Sequence, residues 1–84
     1  MYYVYVLLST INKDLYVGYT SDLRNRFKLH NLGKVKSTKS YMPWILIYYE
    51  AYRSKDDATK REKHLKVHAA KNELRKRMLE SLKI

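Results

Sequence analysis

The sequence predicts an α+β fold, a three-stranded antiparallel sheet flanked by three helices in the order ββαβαα. Three observations carry that prediction. Residues 2–8, 15–20 and 44–52 are dominated by aromatic and β-branched side chains, the types that suit a pleated, packed surface. The stretch between the first two runs is rich in Ser, Asn and Asp, so the two strands should close an antiparallel hairpin. Helical spacing of apolar residues follows Asp22 and resumes after Ser54.

The first strand, YYVYVLL, has no polar alternation, as expected of a central strand covered on both faces. The second, LYVGYT over residues 15–20, carries a glycine that weakens a strand unless something approaches its backbone closely. Thr20, Ser21 and Asp22 open the first helix, Leu23 and Phe27 share its buried face to about His30, and Asn31 with Gly33 stops it. Residues 33–43 are polar and basic and read as a surface loop. Trp44 to Tyr52 form the third strand. Ser54, with Asp57 three residues on, resembles a capping box for the second helix. Ala58, Leu65 and Ala69 fall on one stripe, whereas Leu74, Met78 and Leu82 fall on another, so two helices broken near residues 67–71 fit better than one.

Composition narrows the function classes. A chain of 84 residues buries only about 60% of the surface its unfolded form exposes, which predicts one domain over residues 1–84. No apolar run approaches the roughly 20 residues needed to span a bilayer. The opening MYYVYVLLST has neither a basic leader nor a small-residue cleavage site, and the expectation is a soluble, cytoplasmic protein with no membrane partner. Without cysteine, thiol chemistry and disulfides are excluded. The net charge of +10 is spread evenly: residues 1–42 hold seven basic and two acidic residues, and residues 43–84 hold eleven and six, so each part nets +5. Such a body favours a polyanionic partner, because each phosphate met by Lys or Arg releases condensed counterions. A general basic bias for solubility is the plainer alternative.

Side-chain alternation puts Tyr3 and Tyr5 on one face and Tyr16, Gly18 and Thr20 on the partner strand's matching face. Gly18 then either opens a shallow space where a phosphodiester approaches between tyrosines, or marks a bulge or tight helix contact among ordinary core tyrosines. Arg26 and His30, four apart on the first helix, point together over the sheet edge. Arg26 suits two-donor contact with a phosphate, and otherwise is one surface cation among many. His30 is a donor, a proton shuttle or simply a helix-end residue. Glu62 is the sharpest clue: at about 100° per residue it lies about 40° from Ala58, on the apolar stripe. Burying an unpaired carboxylate is expensive, so Glu62 is a partner for a buried cation, a metal ligand, or a stripe-edge residue pairing with Lys66.

Tyr3-Val4-Tyr5, Tyr16-Val17-Gly18, Arg26, His30 and Glu62, in this order and spacing, resemble the GIY-YIG nuclease domain over nearly the whole chain. The stretches YVGYTSDLRNRFKLHN, PWILIYYE and KREKHLK are similar to those of small bacterial members that consist of little besides this domain. The resemblance implies metal-dependent endonuclease hydrolysis of a DNA phosphodiester, with an association with DNA repair. It makes Glu62 the ligand of one Mg²⁺ or Mn²⁺, since a single carboxylate with waters and phosphate oxygens suits such an ion. It makes Arg26 the stabiliser of the transition state and a tyrosine the activator of the attacking water, Tyr16 preferred and Tyr5 assisting, with His30 in the catalytic set. A tyrosine with a pKa of about 10 needs nearby positive charge for that role.

The first motif has Tyr3 and Val4 in place of glycine and isoleucine, and the second has Val17 in place of isoleucine. Tyr19 stands where some members carry a lysine, and Asn72 follows Glu62 more closely than the asparagine many members carry. Gly18, Arg24, Lys34, Lys36, Lys39 and the basic third helix are the expected DNA contacts. No small-molecule organic cofactor is expected. One active site cuts one strand, so a double-strand break would need a homodimer, a larger repair partner or two visits. Two other classes stay open: a nucleic-acid-binding module with the nuclease fold but little cleavage, and a protein-interaction adaptor without salt-dependent affinity for DNA.

Overall fold

The computed structural model describes residues 1–83, apart from the side chains of His68 and Ala69. The expected place of Ala69 on an apolar stripe therefore lies outside the described residues. Three strands, β1 (Tyr2–Ser9), β2 (Leu15–Thr20) and β3 (Trp44–Tyr52), form one antiparallel sheet in the order β2-β1-β3. Helices α1 (Leu23–Asn31), α2 (Lys55–Leu65) and α3 (His68–Arg77) complete the ββαβαα order.

β1 is central because its side chains are apolar on both faces: Val4, Val6 and Leu8 on one, Tyr5 and Leu7 on the other, all essentially unexposed. The Val4 face joins Leu15 and Val17 of β2 to Ala58 and Leu65 of α2 and Leu74 and Met78 near α3. Each fully buried aliphatic side chain contributes about 1.5–3 kcal/mol, so this layer, aliphatic at its centre with Tyr2, Tyr19, Tyr48 and Tyr52 packed around it, carries the larger share of the apolar stabilisation. The Tyr5 face is smaller, with Leu7 and Trp44 at its centre and Tyr16, Leu23, Phe27 and Leu46 around them. That layer has room for polar chemistry.

Local signals end the elements where the sequence places them. Ser9 Oγ accepts from the backbone N–H groups of Ile11 and Asn12, tying down the hairpin turn, and Lys13 takes a left-handed φ of 62° there. The Asp22 carboxylate caps α1 by accepting from Asn25 N at 3.1 Å. Ser54 caps α2 by accepting from Asp57 N. The helical break falls at Lys66–Val67, at the near edge of the expected interval. Leu74 and Met78 return to the same core as Leu65 despite their shifted phase, because the break lets α3 rotate its own apolar stripe onto the sheet.

The segment over residues 33–43 departs from the expected surface loop. Val35 is 7% exposed and Thr38 is fully buried, and residues Lys39–Tyr41 form a 3₁₀ turn. Trp44 Nε1 donates to the Thr38 carbonyl at 2.8 Å. Buried backbone polar groups must find partners, and this bond fastens the middle of the segment into the Tyr5 layer while Lys34, Lys36 and Lys39 stay exposed.

Candidate active site

Four elements deliver the expected site residues to the β2 edge of the sheet. β1 supplies Tyr5 and β2 supplies Tyr16 and Gly18. The antiparallel register pairs Tyr5 with Gly18 and Leu7 with Tyr16. Cross-strand partners share a face, which sets both tyrosines on the side covered by α1. α1 supplies Arg26 and His30. Its C-terminal end is held by Asn31, which donates to the Trp44 carbonyl at 2.9 Å and accepts from Trp44 N at 2.7 Å.

The space at Gly18 is filled from within. A Cβ on Gly18 would overlap the Tyr5 phenol, including its hydroxyl. The shallow opening expected for a phosphate is thus occupied by Tyr5, and the glycine serves a tight contact inside the sheet. Tyr5 itself is only 1% exposed.

From that position the Tyr5 hydroxyl lies 2.7 Å from His30 Nε2, and His30 Nδ1 lies 2.8 Å from Thr38 Oγ1. Thr38 Oγ1 in turn donates to the Val35 carbonyl at 3.4 Å. A hydroxyl has one proton to give, so Thr38 accepts from His30 Nδ1–H and His30 Nε2 accepts from Tyr5. His30, fully buried, is therefore the hub of a hydrogen-bonded chain rather than a helix-end residue. Burial, reinforced by the Arg26 charge, lowers its pKa from 6.5 to about 4, which matches the neutral tautomer the chain requires. Burial also raises the Tyr5 phenol to about 12, although its hydrogen bond to Arg26 pulls the other way. Arg26 thus acts on both Tyr5 and His30.

Tyr16 is half-buried. Its ring packs edge-on to His30 and Trp44, with centroids 5.1 and 6.2 Å away, and lies 6.5 Å from the Tyr5 ring. Lys66 stands 5.9 Å from its ring centre and forms an ion pair with Glu62 at 3.2 Å. α2 packs on the opposite face of the sheet, so this reach to Tyr16 means that Glu62 and Lys66 wrap the β2 edge. The Glu62 charge acts on the Tyr5 phenol, which brings Tyr5, Tyr16, Arg26, His30 and Glu62 into one electrostatic cluster.

Glu62 lies at the edge of the apolar stripe, its side chain 21% exposed and paired with Lys66. Among the described residues there is no group of three or more His, Asp or Glu that could hold a metal ion. The donor set still suits Mg²⁺ or Mn²⁺, which is commonly held by one or two carboxylates with waters and substrate phosphates. A partly exposed lysine–carboxylate pair contributes only about 0–1 kcal/mol, a small cost for a cation to overcome at this carboxylate.

Arg24 is exposed and lines a different cleft with Tyr3 and Tyr49. Asn72 lies on α3. Sequence reasoning missed Thr38, whose position in the STKS stretch carries no periodic signal, and Glu50. The Glu50 carboxylate receives Arg61 through two bonds of 2.8 and 2.9 Å, and the Tyr48 and Tyr52 hydroxyls as well. Burial pushes Glu50 up, but these donors outweigh it and hold the pKa at about 2.

No helix among the described residues is long and apolar enough to cross a membrane. Residues 1–77 match the GIY-YIG catalytic domain. A UPF0213 protein of Staphylococcus haemolyticus is 37% identical over 75 residues, covering 88% of this chain and 90% of that one. Another, from Streptococcus pyogenes serotype M3, is 46% identical over 61 residues, 71% of this chain. The match spans 65% of the length of that streptococcal relative. The solution NMR structure of a UPF0213 protein from Bacillus halodurans superposes with a TM-score of 0.56 at 35% identity, covering 88% of this chain and 82% of that one. By the match over residues 1–77 and by these relatives, this chain belongs to the GIY-YIG family.

Proposed function

We propose that the chain is a divalent-metal-dependent endonuclease that hydrolyses DNA phosphodiester bonds. The observation that carries this reading is the convergence of Tyr5, Tyr16, Arg26, His30 and Glu62, from four elements, on one edge of the sheet. The even spread of positive charge supports a polyanionic substrate.

Roles follow from exposure and hydrogen bonding. Tyr5 is buried and its hydroxyl is committed to His30 and Arg26, so the water-activating phenol is the half-buried Tyr16. Lys66 over its ring places positive charge at the residue that takes the water's proton. The chain from Tyr5 through His30 to Thr38 keeps Tyr5 oriented, with its lone pairs turned to Arg26. Arg26 offers donors to a phosphate oxygen and offsets the charge that gathers on it during attack. Glu62 would hold the Mg²⁺ or Mn²⁺, which when bound supplies Lewis-acid stabilisation of the scissile phosphate and the leaving 3′ oxygen. No organic cofactor enters this scheme.

One observation favours a second reading. The Glu62–Lys66 pair neutralises the only carboxylate assigned to the metal, as expected of a nucleic-acid-binding module with little turnover. Incubation with flap, splayed-arm and plain duplex DNA, with and without Mn²⁺, separates the two. The endonuclease reading expects Mn²⁺-dependent cleavage that Glu62→Ala abolishes while DNA binding persists. Binding without cleavage in the unaltered protein would leave only the binding module.

A further inference from the structure

A cleft of about 480 Å³ lies against the first turn of α1, with Tyr3, Asp22, Arg24, Phe27, Leu46 and Tyr49 among its lining residues. None of Tyr5, Tyr16, Arg26, His30 and Glu62 lines it, yet it lies on the same sheet face and shares Leu23, Phe27 and Leu46 with the apolar layer around Tyr16. Tyr3 is two residues from Tyr5 along β1, about 6.6 Å at the usual strand rise, and Arg24 precedes Arg26 by two on α1.

Its walls are aromatic and incompletely covered. The rings of Tyr3 and Tyr49 meet edge to face with centroids 6.1 Å apart. Tyr49 pairs across the sheet with the buried Tyr5, but is itself 55% exposed. A tyrosine that served only the core would be covered there. The volume lies in the range of clefts that take small planar ligands. The charge is complementary as well: Arg24 stands at the wall of a chain carrying +10. The Asp22 carboxylate is committed to capping α1, where the helix N-terminus offsets its charge.

We propose that this cleft is a subsite for one unpaired nucleobase of the DNA strand whose phosphate lies at Arg26. The base stacks on Tyr3 and Tyr49, and Arg24 meets the adjoining phosphate. Bases stack on exposed aromatic rings with little sequence preference, and a base inside a duplex cannot enter. The subsite rests on the reading that this chain acts on nucleic acid, and it extends that reading by requiring an unstacked nucleotide beside the site of attack.

The test uses the full chain in EDTA and two labelled 12-mers, oligo-deoxyadenosine and an abasic backbone of the same length, followed by fluorescence anisotropy at fixed salt. The expected result is about 10- to 100-fold tighter binding of the base-bearing strand. Tyr49→Ala should bring its affinity down to the abasic value, and Tyr49→Phe should restore the preference. Equal binding of both strands by the unaltered protein overturns the subsite, as does a preference that survives Tyr49→Ala. Cleavage in Mn²⁺ is read separately. Cleavage without base preference removes the subsite alone, and a Tyr49-dependent preference without cleavage removes the hydrolase reading alone.

Discussion

The phenol of Tyr5 lies across the bare Cα of Gly18, its cross-strand partner. Because the Tyr5 hydroxyl is also bound to His30, the smallest possible side chain at residue 18 must push a hydrogen-bonded ring out of place. Gly18→Ala should destabilise the fold by about 1–3 kcal/mol, the usual penalty for overpacking, measured by urea unfolding. Tyr5→Ala removes the obstacle. In a double-mutant cycle Gly18→Ala should then have little further effect, and strict additivity of the two changes would contradict the contact.

His30 makes stability depend on pH. Its folded pKa of about 4 lies below the ordinary 6.5, so the unfolded chain takes up the proton first as pH falls. The contribution is fully present above pH 6.5 and is lost between 6.5 and 4, amounting to about 3 kcal/mol at one pKa unit per 1.36 kcal/mol. Glu50, held at about 2, adds a second loss below pH 4.5. Urea unfolding from pH 8 to 3 should show both declines. His30→Gln should flatten the upper one, whatever it does to the stability at pH 8.

Much of this arrangement was legible in the sequence. Alternation along β1 and β2 assigned Tyr5, Tyr16 and Gly18 to one face, and the i, i+4 spacing joined Arg26 to His30, because both patterns depend only on local backbone geometry. Partners that arrive from elsewhere in the chain were not legible. Thr38 meets His30 through a segment with no periodicity, and the Tyr5 ring fills the Gly18 space through a rotamer choice. Lys66 was visible as the i+4 partner of Glu62, but its place over Tyr16 depends on how α2 lies against the β2 edge.

Glu50 ties α2 to β3. Its carboxylate binds the Arg61 guanidinium through two parallel bonds, and Arg61 immediately precedes Glu62. Glu50→Gln leaves Arg61 without its counter-charge and disrupts the Tyr48 and Tyr52 bonds, with an expected loss of about 2–3 kcal/mol. Thermal unfolding at pH 7 reads that loss. The difference from the unaltered protein should shrink toward pH 2, as the native carboxylate becomes protonated.

Lys66 offers the sharpest view of Glu62. Lys66→Ala removes a half-exposed ion pair, so stability should change by less than about 1 kcal/mol. The carboxylate is then free for a cation, and the Mn²⁺ concentration giving half-maximal cleavage should fall several-fold. The same change removes positive charge from beside Tyr16, so the maximal rate at saturating Mn²⁺ should fall as well. Opposite movements of metal affinity and rate separate the two contacts of this one side chain. An Mn²⁺ requirement untouched by Lys66→Ala would mean that Glu62 does not hold the metal.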